Sequence, residues 1–295
     1  MPSWQSHVIH PFLRLYVKRR LARADSPLAA RAALGNPMPP PPGARFTAGS
    51  LGGIAGEWAR ADGTSAGTLL YLHGGGYFAC SPFTHRSITG AYAIRGFSVF
   101  APDYRLAPEH AFPAALDDAL ATYREICREP FVLSGDSAGG GLALATLLAA
   151  KNAGLPMPAG AILFSPWTDL AGTGASVLAN ARRDSMLYGP KLAEGAEIYL
   201  QGADPKNPLA SPLYGALAGL PPLLIQVGAE EILLDDSTRL AERARAAGVQ
   251  TEITIWKNLP HVWQVSQVFL PEARAALDQA AAFARARLAK APAPG

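Results

Sequence analysis

Serine, histidine and carboxylate side chains can together carry out acyl transfer, and this chain holds a serine in a setting suited to that chemistry. Ser137 lies within Phe131-Val132-Leu133-Ser134-Gly135-Asp136-Ser137-Ala138-Gly139-Gly140. The apolar run before it reads as a buried strand, and residues 141–150 after it read as a packed helix. Between them, Gly135-x-Ser137-x-Gly139 reads as a sharp strand-to-helix turn that presents the serine as a nucleophile. Glycines on both sides let strand and helix approach without Cβ clashes. The hydroxyl then stands at the carboxyl edge of a sheet, backed by a helix N-terminus that favours developing negative charge. A G-x-S-x-G string arises often by chance, so its strand and helix flanks carry the inference.

Acyl transfer also needs hydrogen-bond donors for an oxyanion, a base, and an acid to orient that base. Tyr71-Leu72-His73-Gly74-Gly75-Gly76-Tyr77 follows an apolar strand pattern and exposes bare backbone N–H groups, as an oxyanion loop does. Alone it would read as a flexible turn; in company with the elbow it reads as a donor loop. The N–H of Ala138, directly after the serine, is expected to complete the hole. His73 is expected to brace the loop.

These pieces need elements to hold them. Residues 68–72, 98–101, 131–133, 161–164, 223–227 and 252–256 read as buried or half-buried strands. Helical patterns fall near 113–128, 138–152, 190–200, 236–247 and 272–289. Such alternation implies crossover connections and a mostly parallel central sheet flanked by helices, an α/β fold, and the elbow within it is the kind that an α/β-hydrolase requires. Ligands then bind beyond the carboxyl ends of the strands. Residues 1–45 read as helices followed by a stiff proline-rich connector at 37–43. Residues 46–170 and 212–290 form the expected two parts of the catalytic core, and 171–211 interrupt the rhythm as a cap insertion. The amphipathic stretch 7–20 is expected to cover an apolar pocket rather than lie on a membrane, and the tail 291–295 to fray.

In this fold the chain order is nucleophile, acid, histidine. Of His7, His10, His73, His85, His110 and His261, only His261 follows the serine. It sits in the loop leaving the last strand pattern. The string G-D-S-A-G-G also surrounds the serine of chymotrypsin-like proteases, but there histidine and aspartate precede it in an all-β fold. The acid is open at this level. Asp235 and Asp236 precede a helix and read equally as N-cap carboxylates, whereas Glu230 and Glu231 lie nearer the strand end and spacing does not choose between them.

Together these motifs resemble the hormone-sensitive-lipase family of carboxylesterases. Beyond the two glycine motifs, the resemblance includes Asp103-Tyr104-Arg105-Leu106-Ala107-Pro108-Glu109-His110 and Phe112-Pro113-Ala114-Ala115-Leu116-Asp117-Asp118. Ser165-Pro166-Trp167-Thr168-Asp169-Leu170 and His261-Val262-Trp263-Gln264 extend it, so that it runs from about residue 50 to 288. It implies an α/β-hydrolase core under a helical cap from the N-terminus and the insertion, and hydrolysis of short- to medium-chain acyl esters without cofactor or metal. It implies Gly75 and Gly76, with Ala138, as oxyanion donors. The family acid is usually an aspartate in a D-P-L-x-D pattern. Aligning the second aspartate of that pattern with Asp235 puts the catalytic position at Glu231, a departure from the usual residue, with Asp235 as the runner-up. Tyr77, Phe78, Leu187 and Trp263, with Trp167 and Tyr199, are expected pocket walls. The oligomeric state is open at this level; a homodimer through the last strand and helix is common in similar proteins, which is analogy only.

Composition bounds the alternatives. The 295 residues carry a formal charge of +3 with dispersed basic groups, which does not suggest a nucleic-acid partner. Two cysteines, Cys80 and Cys127, make no disulfide framework and fit a reduced, cytoplasmic setting. The N-terminus shows no signal-peptide pattern, and no stretch has the length of a membrane span. A related amidase, arylformamidase or deacetylase would use the same triad. A non-catalytic small-molecule receptor on this fold would have no need of Ser137, His261 and a matching acid.

Overall fold

The computed structural model describes residues 2–291, so 292–295 of the tail expected to fray lie outside the described residues. Eight strands form one sheet: β1 (Arg45–Leu51), β2 (Ile54–Arg60), β3 (Thr68–Leu72), β4 (Ser98–Pro102), β5 (Phe131–Asp136), β6 (Gly160–Phe164), β7 (Leu223–Gly228) and β8 (Thr251–Trp256). Their order is β1-β2-β4-β3-β5-β6-β7-β8. From β4 to β8 all neighbours are parallel, while β1–β2 and β2–β4 are antiparallel.

The helices are α1 (Trp4–Leu13), α2 (Arg19–Arg23), α3 (Pro27–Leu34), α4 (Arg86–Ala93), α5 (Ala114–Ile126), α6 (Ser137–Asn152), α7 (Ser176–Ala179), α8 (Gly189–Leu200), α9 (Leu234–Ala246) and α10 (Pro271–Leu288). Period-two alternation along the strands sorts the core into two layers. Leu70, Leu72 and Leu133 face a cluster with α5, α6 and α9. Leu69, Tyr71 and Val132 face another with α4 and α10. Strands β5, β6 and β7 are buried along their whole length. That explains why they read as continuous apolar runs rather than alternating ones.

The sequence reading missed the β1–β2 hairpin and α4. Both hairpin strands are rich in small and polar residues and half-exposed, so they lack the apolar run that marks the central strands. Gly52 and Gly53 join them with φ of 60° and 79°, the left-handed pair of a two-residue hairpin turn. That Gly-Gly pair was the available signal. The segment 171–211 carries α7 and α8 and no strand. Among the described residues no helix is long and apolar enough to cross a membrane.

Candidate active site

The site begins where β5 meets α6. A Cβ on Gly135 would stand 2.4 Å from the Gly139 carbonyl oxygen, and one on Gly139 would stand 2.1 Å from the Leu72 carbonyl oxygen. Any side chain there would push the helix off the sheet. Between them Ser137 takes φ = 51°, an unusual value for a non-glycine residue and the mark of a strained elbow. The residue starts α6, so its neighbour Ala138 offers one of the first-turn N–H groups that have no partner inside a helix.

His261 arrives on the loop after β8 and is 3% exposed. Its Nε2 lies 2.8 Å from Ser137 Oγ, and its Nδ1 lies 2.6 Å from Glu231 Oε2. Glu231 sits on the turn after β7, buried, with its second oxygen fully engaged. Oε1 accepts from the Gly228 N–H at 2.6 Å and from the Ser165 hydroxyl at 2.7 Å. These two donors orient the carboxylate so that Oε2 is left for the imidazole. The structure thus brings Ser137, His261 and Glu231 into one hydrogen-bonded line.

The other carboxylates go elsewhere. Glu230 accepts from the Asn258 N–H at 2.9 Å and pairs with Arg183. Asp235 accepts from the Ser176 N–H at 2.9 Å, and Asp236 takes the Thr168 and Asp169 N–H groups at 2.7 and 2.9 Å. Burial opposes a charge on His261, but the Glu231 carboxylate outweighs it and holds the imidazole above its ordinary value. Burial in turn raises Glu231, against the pull of its three donors.

The glycine loop is anchored by the residue before the serine. Asp136 Oδ1 accepts from the Gly74 N–H at 3.0 Å and from the Tyr71 hydroxyl at 2.6 Å, and Oδ2 faces His85 Nε2 at 3.3 Å. Gly74 is therefore occupied, whereas the Gly75 and Gly76 N–H groups have no protein partner among the described residues. Their φ values of 117° and 64° turn the loop along the cavity edge. His73 stacks on Tyr104 with ring centroids 4.2 Å apart, and the Tyr104 hydroxyl donates to the His73 carbonyl at 2.6 Å. Burial, reinforced by neighbouring His85, lowers His73 to about 3, so it braces the loop as a neutral ring. Tyr104 is itself steadied by its neighbour Arg105, which grips Asp118 on α5.

Ser137 and His261 open into a cavity of about 640 Å³. Phe78, Leu187 and Trp263 line it, together with Trp167. Tyr77 does not, contrary to expectation, and neither does Tyr199. The two rings stack 3.8 Å apart in the core, because the left-handed backbone at Tyr77 (φ 67°) follows two left-handed glycines. The N-terminal segment supplies Val8, Phe12, Tyr16 and Leu34 to the walls, and Asp136 is the one carboxylate among the described residues that line the cavity. Sequence reasoning also missed Ser165, Asp136 and His85 as supports. The Ser165-Pro166-Trp167 motif at the end of β6 was the signal for the first.

A strand-elbow-helix serine joined to a late histidine and a carboxylate, on a sheet of this topology, defines an α/β hydrolase. A family model described as the alpha/beta hydrolase fold matches residues 69–265. An acetyl-hydrolase of Streptomyces hygroscopicus is 45% identical over 87% of this chain and 86% of its own length. An esterase of Acinetobacter venetianus is 38% identical over 79% of this chain and 80% of its own. The crystal structure of an esterase from the bacterial hormone-sensitive lipase family superposes with a TM-score of 0.89 at 38% identity, covering 98% of this chain and 99% of that one. The chain belongs to the hormone-sensitive-lipase family of α/β hydrolases and is a carboxylic ester hydrolase.

Proposed function

We propose that Ser137, His261 and Glu231 form the catalytic triad, acting on short- to medium-chain acyl esters. The observation that carries this reading is the unbroken line from Ser137 Oγ through His261 to Glu231, at 2.8 and 2.6 Å. Ser137 Oγ attacks the ester carbonyl while its proton passes to His261 Nε2. Glu231 keeps the imidazole proton on Nδ1 and stabilises the imidazolium that forms. The N–H groups of Gly75, Gly76 and Ala138 hold the oxyanion, each such donor being worth about 3 kcal/mol in the transition state. His261 then protonates the departing alkoxide. In the second half-reaction it takes a proton from water, whose oxygen attacks the acyl carbon and frees Ser137.

The chain-length reading rests on the cavity, whose 640 Å³ falls within the roughly 300–1,000 Å³ of ordinary small-molecule pockets and whose walls are mainly apolar. Residues 1–45 and 171–211 act as the cap, and 46–170 with 212–290 as the catalytic core. Support for a homodimer comes from β8, an edge strand that exposes Ile255; light scattering tests it. The unpaired Cys80 and Cys127 support a cytoplasmic setting.

Two measurements test the central reading. Ser137→Ala should lower kcat on p-nitrophenyl butyrate by about 10⁶ and abolish labelling by a fluorophosphonate. Labelling that persists in this variant refutes the nucleophile. A series of p-nitrophenyl esters from acetate to palmitate should show kcat/KM falling steeply at the long end; a maximum at palmitate refutes the chain-length reading.

A further inference from the structure

The cap insertion holds the backbone around Glu231. Asn180 Nδ2 donates to the Glu231 carbonyl at 2.9 Å and to the Ala229 carbonyl at 3.2 Å. Asp184 Oδ2 accepts from the Ile232 N–H at 2.9 Å, one residue further on. The same carboxylate turns its other oxygen to the Met186 and Leu187 N–H groups, both at 2.8 Å. Asn180 and Asp184 are buried, and neither lines the cavity. Glu231 thus takes its position partly from another segment of the chain.

That segment is itself held from outside. Lys18 Nζ donates to the Ala181 carbonyl at 2.9 Å and to the Asp184 carbonyl at 2.6 Å. Arg14 reaches the Arg183 carbonyl at 3.0 Å, and His10 Nδ1 meets Ser185 Oγ at 2.9 Å. Three side chains of the N-terminal segment, one on α1 and two between α1 and α2, therefore grip the 180–185 turn. A continuous set of contacts joins the N-terminal segment, the insertion, the Glu231 turn and His261.

We propose that Asn180 and Asp184 are positioning residues for Glu231, and that seating of the N-terminal segment on the 180–185 turn aligns the acid with His261. The cap then governs turnover as well as access. This rests on Glu231 being the triad acid. Its physical basis is geometric: a catalytic group must be held within about 0.5 Å of its productive place, and only its supporting contacts can hold it so. A displaced Glu231 would leave the imidazole unoriented with all three reacting side chains present.

The test is Asn180→Ala, assayed on p-nitrophenyl butyrate across pH in the wild-type and Glu231→Gln backgrounds. The charged groups bearing on His261 are Glu231, Asp184 and Asp136, and this substitution leaves all three in place. In the wild-type background kcat should fall about tenfold with KM changed less than about twofold, as for loss of a transition-state contact. The acid limb of kcat/KM should move to lower pH, since a loosened Glu231 supports the imidazolium less. A mere loss of folded protein would lower the amplitude and leave the limb in place. In the Glu231→Gln background Asn180→Ala should change kcat less than about twofold, because groups acting as a unit are not additive.

A full additional loss in that background, or an unmoved limb, overturns the proposal. Near-normal kcat in Glu231→Gln alone overturns the assignment of the acid, a separate failure. Lys18→Met tests the outer contact and serves if Asn180→Ala does not fold. It should lower kcat and shift the limb in the same sense; a rise in KM alone overturns the role of the N-terminal segment.

Discussion

Replacing Glu231 by glutamine changes one atom and should nearly abolish turnover. The Gly228 N–H can only donate, and it points at one oxygen of the side chain from 2.6 Å. The Ser165 hydroxyl donates to the same oxygen. A glutamine must therefore place its carbonyl oxygen there and turn its NH₂ toward His261 Nδ1. An amide NH₂ donates and does not accept. Nδ1 must then become the acceptor, and the imidazole proton moves to Nε2. In that tautomer Nε2 cannot take the proton from Ser137. The equivalent tautomer error in a serine protease costs about 10⁴ in kcat. At about 1.4 kcal/mol per factor of ten, this is about 5.5 kcal/mol of transition-state stabilisation. The assay is steady-state hydrolysis of p-nitrophenyl butyrate, with thermal unfolding of the same sample as the check on folding. Asp235→Asn is the matched control: its Ser176 contact needs only an acceptor, which asparagine retains, so kcat should stay within about threefold. A loss below about tenfold in Glu231→Gln, with a folded variant, would refute the tautomer argument. A large loss in Asp235→Asn instead would move the acid to that residue.

The wild-type pH profile follows from the same contacts. His261 must be neutral to accept a proton, so activity is lost as pH falls through its pKa, and Glu231 holds that pKa above the ordinary 6.5; an acid limb of kcat/KM below 6.5 contradicts this. In Gly75→Ala a Cβ would stand 2.1 Å from the Ala79 carbonyl oxygen at a φ of 117°, so the loop must shift and kcat should fall about 10²–10³ while KM changes little. Asp236 gives a stability prediction. Burial pushes its carboxyl up to about 7, against the pull of the Thr168 N–H. The folded protein therefore keeps this proton after the unfolded chain has lost it, and the group costs stability progressively as pH rises from about 3.9 to about 7. The Tm of Asp236→Asn relative to wild type should rise across that window, and a flat difference refutes the shift.

Much of this site is legible because its chemistry is local. An elbow is a few consecutive residues whose glycines, strand and helix all announce themselves in sequence, and with the glycine loop upstream and His261 downstream they mark Ser137 as the candidate nucleophile. The central strands announce themselves as well, since burial on both faces leaves only apolar side chains. The β1–β2 hairpin does not, because half-exposed strands with small residues satisfy no strong pattern except the Gly52-Gly53 turn. Tyr77 illustrates the opposite error. It follows the glycine loop directly, yet its left-handed backbone sends the ring into the core against Tyr199.

The order of motifs along the chain pointed to Ser137 as the candidate nucleophile, to His261 as its partner and to the fold class, since each depends on short segments and on topology that allows few arrangements. Tertiary structure decided which carboxylate meets the histidine. Glu230 and Glu231 are chemically identical neighbours with the same local surroundings in sequence, and a side chain's direction on a turn is set by what binds it. Gly228, Ser165, Asn180 and Asp184 hold Glu231 in place, and only folding brings the insertion and the strand ends together around it.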